Sequence, residues 1–338
     1  MRTVLTRVRT AMTPPLEDHR PALRVALGLA VPGVALLSAS RPDLIIYAVF
    51  GAITGMYGRT ESRRRRFTHQ SYGGVILVLG VAIGVALANS HTSPAVLVVA
   101  AVAFATIGSV VTDYLALKPE GPFYGVFALG AIATVPAGRV APSSAILLCA
   151  ATALLSVLLG VLDAPRGAER AIRLPVPDIR DVLIHACRYA IAITAAGTAG
   201  LALGVDHANW AIAAAAGPLA AADASGRIRR GIHRLAGTLV GLVVAAVLLV
   251  PQPSAYVLAI CVMVLLFPTE LFMAHHHAVA LGFFTPLIML MSDLAQPAEP
   301  LVLLSYRGLD TVIGVAAAIA VALLLPGRSN SPSNISAI

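Results

Sequence analysis

Apolar residues run along this chain in long blocks, separated by short segments rich in Arg, Pro, Gly and Asp. The blocks predict helices near 22–38, 43–58, 71–88, 94–112, 121–136 and 143–162 in the first half. The second half gives 183–204, 208–222, 235–250, 255–272, 277–292 and 303–326. A helix that crosses a bilayer needs about 20 apolar residues, with roughly 17 to 25 usual. Several blocks are shorter, notably 208–222 and 277–292, so ten spans would also fit. Charge chooses twelve. With the N-terminus inside and the spans alternating, only Arg41, Arg139 and Arg307 of the 24 Arg and Lys fall on the outer side. That asymmetry is the positive-inside bias of short loops.

Two stretches have the same construction. Arg227 to Pro251 is a basic collar running into an apolar block, and so is Arg63 to Leu87. A shift of 164 carries Arg65, Arg66, His69 and Gly73 onto Arg229, Arg230, His233 and Gly237, and Arg24 onto Arg188. Ala128-Leu129-Gly130 echoes Ala280-Leu281-Gly282. The expected fold is an all-α, polytopic membrane protein of two six-helix repeats. Six is even, so the repeats are parallel, about an axis along the membrane normal. The expected divisions are a cytoplasmic N-terminal segment 1–21, a first repeat 22–162, a cytoplasmic linker 163–182, a second repeat 183–326 and a disordered cytoplasmic tail 327–338.

Composition supports this picture. Of 338 residues, 58% are hydrophobic and 12% charged, and the mean hydropathy is +0.86. A soluble chain carries roughly 25% charged residues, so most of this exterior faces lipid. The net charge of +8 sits in loops between apolar runs and forms no basic face, which argues against nucleic-acid binding. Glu17 and Asp18 separate the basic start from the first apolar block, against a cleaved signal peptide. Arg outnumbers Lys 23 to one, beside abundant Ala, a bias that points to a bacterium with GC-rich DNA and so to its plasma membrane. Cys149, Cys187 and Cys261 lie singly in apolar runs and support neither a disulfide framework nor a metal site. His275, His276 and His277 are consecutive, and a helix turns such neighbours about 100° apart, away from one shared ion. No GxxxxGK[ST], HExxH or GxSxG occurs. The chain is expected to be no enzyme, with no cofactor and no bound metal.

The run Arg230-x3-Arg234-x2-Gly237-Thr238-x2-Gly241, and Arg307-x2-Asp310-Thr311-x2-Gly314 at the start of the last helix, resemble the fusaric acid resistance-like (FUSC) membrane family. That family includes proton-driven exporters of aromatic acids. The resemblance implies a secondary transporter exporting small organic anions, aromatic or other weak carboxylic acids, driven by proton entry. A passive anion channel and a non-transporting scaffold of an envelope assembly are the alternatives. Two departures bear on the substrate. The linker of about 18 residues stands where the exporters of aromatic acids carry a soluble domain, and the 164 shift puts Ser143 and Ile146 at the places of Arg307 and Asp310.

Ionisable groups inside hydrocarbon are costly and mark a partner or a task. Arg24 and Arg188, just inside the first helix of each repeat, and Arg307 are candidate anion-binding residues, because a guanidinium meets a carboxylate with two parallel hydrogen bonds. The plainer role for Arg24 and Arg188 is snorkelling to the headgroups. Asp310 shares a helical face with Arg307 and is the candidate proton carrier, with Glu270 in reserve. Asp113, like Glu270, lies near the cytoplasmic end of a fourth helix. The partners expected are the bilayer, a small organic anion and protons, with room for a homo-oligomer.

Overall fold

A count of hydrophobicity stops at an arginine, but backbone hydrogen bonds do not, and arginine is a good helix former. The helices therefore begin earlier than their apolar blocks. The computed structural model describes residues 16–90, 93–163, 177–203, 208–221 and 223–325. The N-terminal segment to residue 15, most of the expected linker and the expected tail lie outside the described residues.

Twelve α-helices occur among the described residues, with no strand. The first half has α1 (Leu16–Ser38), α2 (Ile45–Ile53), α3 (Arg63–Asn89), α4 (Pro94–Tyr114), α5 (Phe123–Ala133) and α6 (Pro142–Leu162). The second has α7 (Ile179–Ala202), α8 (Ala208–Leu219), α9 (Ala224–Leu249), α10 (Ala255–Met273), α11 (His277–Ala295) and α12 (Pro300–Leu324). Short 3₁₀ turns, Pro42–Leu44 and Thr54–Met56, flank α2. Both collars lie inside helices, α3 starting at Arg63 and α9 at Ala224. Asp223 caps α9 by accepting from the Gly226 amide at 2.9 Å.

Nine of these helices are long and apolar enough to cross a membrane, and the protein is a multi-pass membrane protein. The short ones are α2, α5 and α8, whereas α11, expected to end at 292, runs to Ala295. An 11-residue helix such as α5 rises about 16 Å, roughly half a hydrocarbon core. Every residue of α2 is buried, and nearly every residue of α5 and α8. Helix ends at membrane depth are tolerated when protein covers them.

The exposed large apolar side chains sort the helices into two shells. They sit on α1, α3, α4, α6, α7, α9, α10 and α12, as with Val99, Leu154 and Val243. None lies on α2, α5, α8 or α11. An outer ring thus presents apolar side chains to lipid, around a core made by the second and fifth helices of each half.

The halves pack in the same pattern. In the first, α3 packs on α5 and α6, α6 on α2, and α1 on α2. In the second, α9 packs on α11 and α12, α12 on α8, and α7 on α8. Contacts between halves are reciprocal: α4 lies on α7 as α10 lies on α1, and α5 meets α8 as α11 meets α2. Each inter-half contact thus has a counterpart between the equivalent helices.

Burial fixes the register helix by helix. Between α3 and α9 a shift of 164 superposes the buried Gln70, Gly73, Gly74 and Val81 on Arg234, Gly237, Thr238 and Ala245. Between α4 and α10 the shift is 161, and between α6 and α12 it is 158. The constant 164 therefore fails in the later helices, because the second half is shorter between equivalent elements. Cys149 and Thr152, not Ser143 and Ile146, occupy the places of Arg307 and Asp310.

Candidate functional site

The core helices are built from small and aromatic residues, and that mixture makes the site. On α8, a run of alanines lets α12 approach the backbone. A Cβ at Gly314 would collide with the Ala211 carbonyl oxygen and lie 2.6 Å from the Ala214 Cβ, so only glycine permits this approach. The close contact brings Arg307 over the face of Trp210, with Cζ 4.5 Å from the ring centroid. Arg234, from α9, lies over Phe123 of α5 at 5.0 Å. Gly217 makes room for it, since a Cβ there would sit 2.7 Å from the Arg234 Nη1. A guanidinium over an aromatic face is attracted by the ring quadrupole.

The rings form one cluster. Phe127 of α5 touches Phe123, Trp210 of α8, Phe50 of α2 and Phe284 of α11, with centroids 6.1, 5.8, 5.3 and 5.9 Å apart. All four core helices meet at this point. The charged groups lie well inside their helices: Arg307 is about 10 Å and Asp310 about 15 Å along α12 from its start, and Arg234 about 15 Å along α9 from its start.

These groups are buried and under-partnered. Arg234 and Arg307 are each 2% exposed and Asp310 is 0%. The Nε of Arg234, the Nε and Nη1 of Arg307, both oxygens of Asp310 and both amide atoms of Asn209 have no hydrogen-bond partner. Arg307 and Asp310, though three apart on one face, form no ion pair among the described residues. Leaving one buried polar group unsatisfied costs about 1–3 kcal/mol, more for a charge. So many in one place call for an explanation other than stability. Two guanidiniums with free donors beside aromatic faces are what a carboxylate on an apolar body requires.

The other candidates lie elsewhere. Arg24 donates to Asp163 at 2.9 Å, and Arg188 donates through Nε to the Leu325 carbonyl at 3.0 Å. Asp163 and Leu325 end α6 and α12, so each arginine ties down the last helix of its own half, a favourable place for a cation. Arg66 adds a bond to Gly160 on α6 at 3.1 Å. Glu270 joins a separate network at the arginine-rich end of the bundle. Arg59 donates to the Glu270 carbonyl at 2.6 Å, stands 3.6 Å from its Oε2 and reaches Asp18 at 3.1 Å. His275 pairs with Asp18 at 2.9 Å. Asp113 meets His185 at 2.7 Å, whose other nitrogen is 3.2 Å from the Leu219 carbonyl.

Arg234, Trp210, Phe123 and Asn209 were not among the candidates read from sequence. Arg234 had one slight signal: it stands just before the apolar block 235–250, where the shift of 164 sets it opposite a neutral Gln70 in the first half. The aromatic residues had none, since three-dimensional convergence alone distinguishes them. The registers reveal a consistent asymmetry. Where the second half has Arg234, Glu270, Arg307 and Asp310, the first has Gln70, Ser109, Cys149 and Thr152. Every buried charge of this set belongs to one half.

Comparison with known proteins singles out the same half. Residues 193–321 match the family model described as fusaric acid resistance protein-like. The matched stretch contains Trp210, Arg234, Glu270, Arg307 and Asp310. The fusaric acid resistance-like family points to membrane transport or efflux. An uncharacterized membrane protein of Bacillus subtilis (strain 168), YvaC, is 29% identical over 112 residues, which is 33% of this chain and 18% of that protein. The chain thus spans under a fifth of that relative's length. No solved structure matches.

Proposed function

We propose that the protein is a secondary transporter that exports small organic anions, aromatic or other weak carboxylic acids, across a bacterial plasma membrane, with its arginine-rich end in the cytoplasm. The halves are read as parallel repeats, and the transport site as belonging to the second. Arg307 and Arg234 hold the carboxylate, Trp210 and the Phe123–Phe127 stack receive the apolar body, and Asp310 carries a proton. Glu270, within its network with Arg59 and Asp18, serves the cytoplasmic end. Arg24 and Arg188 act as anchors of helix ends. One observation carries this assignment: two buried guanidiniums lie over aromatic faces in the core of the helix bundle, with unpaired donors.

The test is flux in liposomes containing the full chain, with a panel of labelled aromatic and aliphatic carboxylates and imposed pH gradients. Saturable carboxylate flux that is lost in Arg307→Gln, with the protein still folded, is expected. Equal flux in wild type and Arg307→Gln would remove the site. Flux that ignores pH and survives Asp310→Asn would instead mark a passive conduit.

A further inference from the structure

Resting on the anion site proposed above, we infer that the proton and the organic anion occupy that site together rather than in turn, with Arg234 as a second anion-binding residue. The sign of the coupling follows from the charges present. On its own helix Asp310 faces Arg307, and α9 contributes Arg234, joined to it through the ring cluster: Arg234 covers Phe123, Phe123 stacks on Phe127, and Phe127 touches the Trp210 under Arg307. Near them α8 offers only the neutral Asn209 and Trp210, and α5 offers Phe123 and Tyr124. The third neighbour of α12, α7, brings Arg188 only to the Leu325 end. His233 and His277 lie on the Arg230–Arg234 side of α9 and, charged or neutral, add no negative charge.

With Asp310 ionised, the buried set of two guanidiniums and one carboxylate is singly positive. With Asp310 protonated it is doubly positive, and Arg307 is released from its nearest negative neighbour. A carboxylate entering the site is held more tightly in the second state, by about 10- to 100-fold for one unit charge several ångströms away. Linkage is reciprocal, so the bound anion equally favours the proton on Asp310. Export driven by proton entry needs the opposite sign, with the proton displacing the anion. Co-occupancy makes the carried species one proton plus one monoanion. Its movement is electroneutral and follows the gradient of the acid itself, outward when the acid is produced inside.

The chain contains one tryptophan, and it is the ring under Arg307. Its fluorescence is therefore a reporter of the site itself. The experiment uses the full chain in lipid nanodiscs, benzoate as probe, Trp210 emission as readout, and calorimetry in buffers of different ionisation enthalpy to count protons. As pH falls from about 8.5 to about 6, the affinity for benzoate should rise, by up to about tenfold per unit, with proton uptake approaching one per anion. Asp310→Asn should bind at the tight, low-pH affinity and lose the slope, while Arg234→Gln should bind about tenfold more weakly and keep it. Affinity that is flat or rises with pH, or proton release on binding, overturns co-occupancy and leaves the anion site standing. Absence of any benzoate binding at every pH, by emission and by bound label, overturns both. If Asp310→Asn fails to fold, the wild-type slope and proton count still decide.

Discussion

At the scale of single residues, the proposed anion binding depends on arginine as a planar fork. Arg307 covers Trp210 with its flat face while its edge donors remain unpaired. Lysine keeps the charge but neither stacks nor offers parallel donors. Arg307→Lys is therefore expected to weaken benzoate binding by about tenfold or more, measured by Trp210 emission. The asymmetry between halves gives the matching control. Thr152→Ala changes the first-half counterpart of Asp310 and should leave affinity within about twofold, because no charge stands there. A loss in Thr152→Ala as large as that in Arg307→Lys would show that both halves hold a site. Sequence alone marked Arg307 and Asp310 because a charge in an apolar run is conspicuous. Arg234 was hidden by its neighbours: in a run of arginines, only its neutral counterpart Gln70 separates it from those that end in headgroups.

At the scale of the elements, apolar blocks located all twelve helices but misjudged where several begin and which are short. Length was misjudged because lipid-facing and protein-covered helices are equally apolar; α5 looks like a span in sequence and is an 11-residue core helix in the fold. Starts were misjudged because collars are helical. The α9 start also depends on Asp223, which the Ser225 hydroxyl and the Gly226 amide hold below the usual carboxylate range. A depressed folded-state value means that this cap stabilises at neutral pH and is lost as the pH falls through it. Packing between α8 and α12 is the sharper test. Gly314→Ala puts a methyl group into the α8 backbone and must push the helices apart, at a cost of about 1–3 kcal/mol. A lower unfolding temperature in detergent and weakened benzoate binding should appear together, since the same approach seats Arg307 on Trp210. An unchanged unfolding temperature would mean that the seam between these helices yields freely.

At the scale of the whole molecule, the proposed transport requires a route from the buried site to each side, and the seams between the halves are the boundaries to test. Both seams between the halves join a fourth helix to a first helix, and each is closed at the arginine-rich end by an acid–histidine pair: Asp113 on α4 with His185 on α7, and Asp18 on α1 with His275 just beyond α10. At the opposite end Arg139 of one half donates to the Ala295 carbonyl of the other at 2.6 Å. Orientation is testable first: with the native cysteines replaced, Arg64→Cys should react with an impermeant maleimide only from the cytoplasm and Ser144→Cys only from outside. The seams come next. If transport proceeds by rocking of one half against the other about the central cluster, α4 and α7 must separate when the site opens to the cytoplasm. Cysteines placed at 113 and 185 and joined by a short, cleavable thiol crosslinker should then stop benzoate flux while leaving Trp210 emission native, and cleavage should restore flux. Full flux through the linked protein would place the moving boundary elsewhere, within a half rather than between the two.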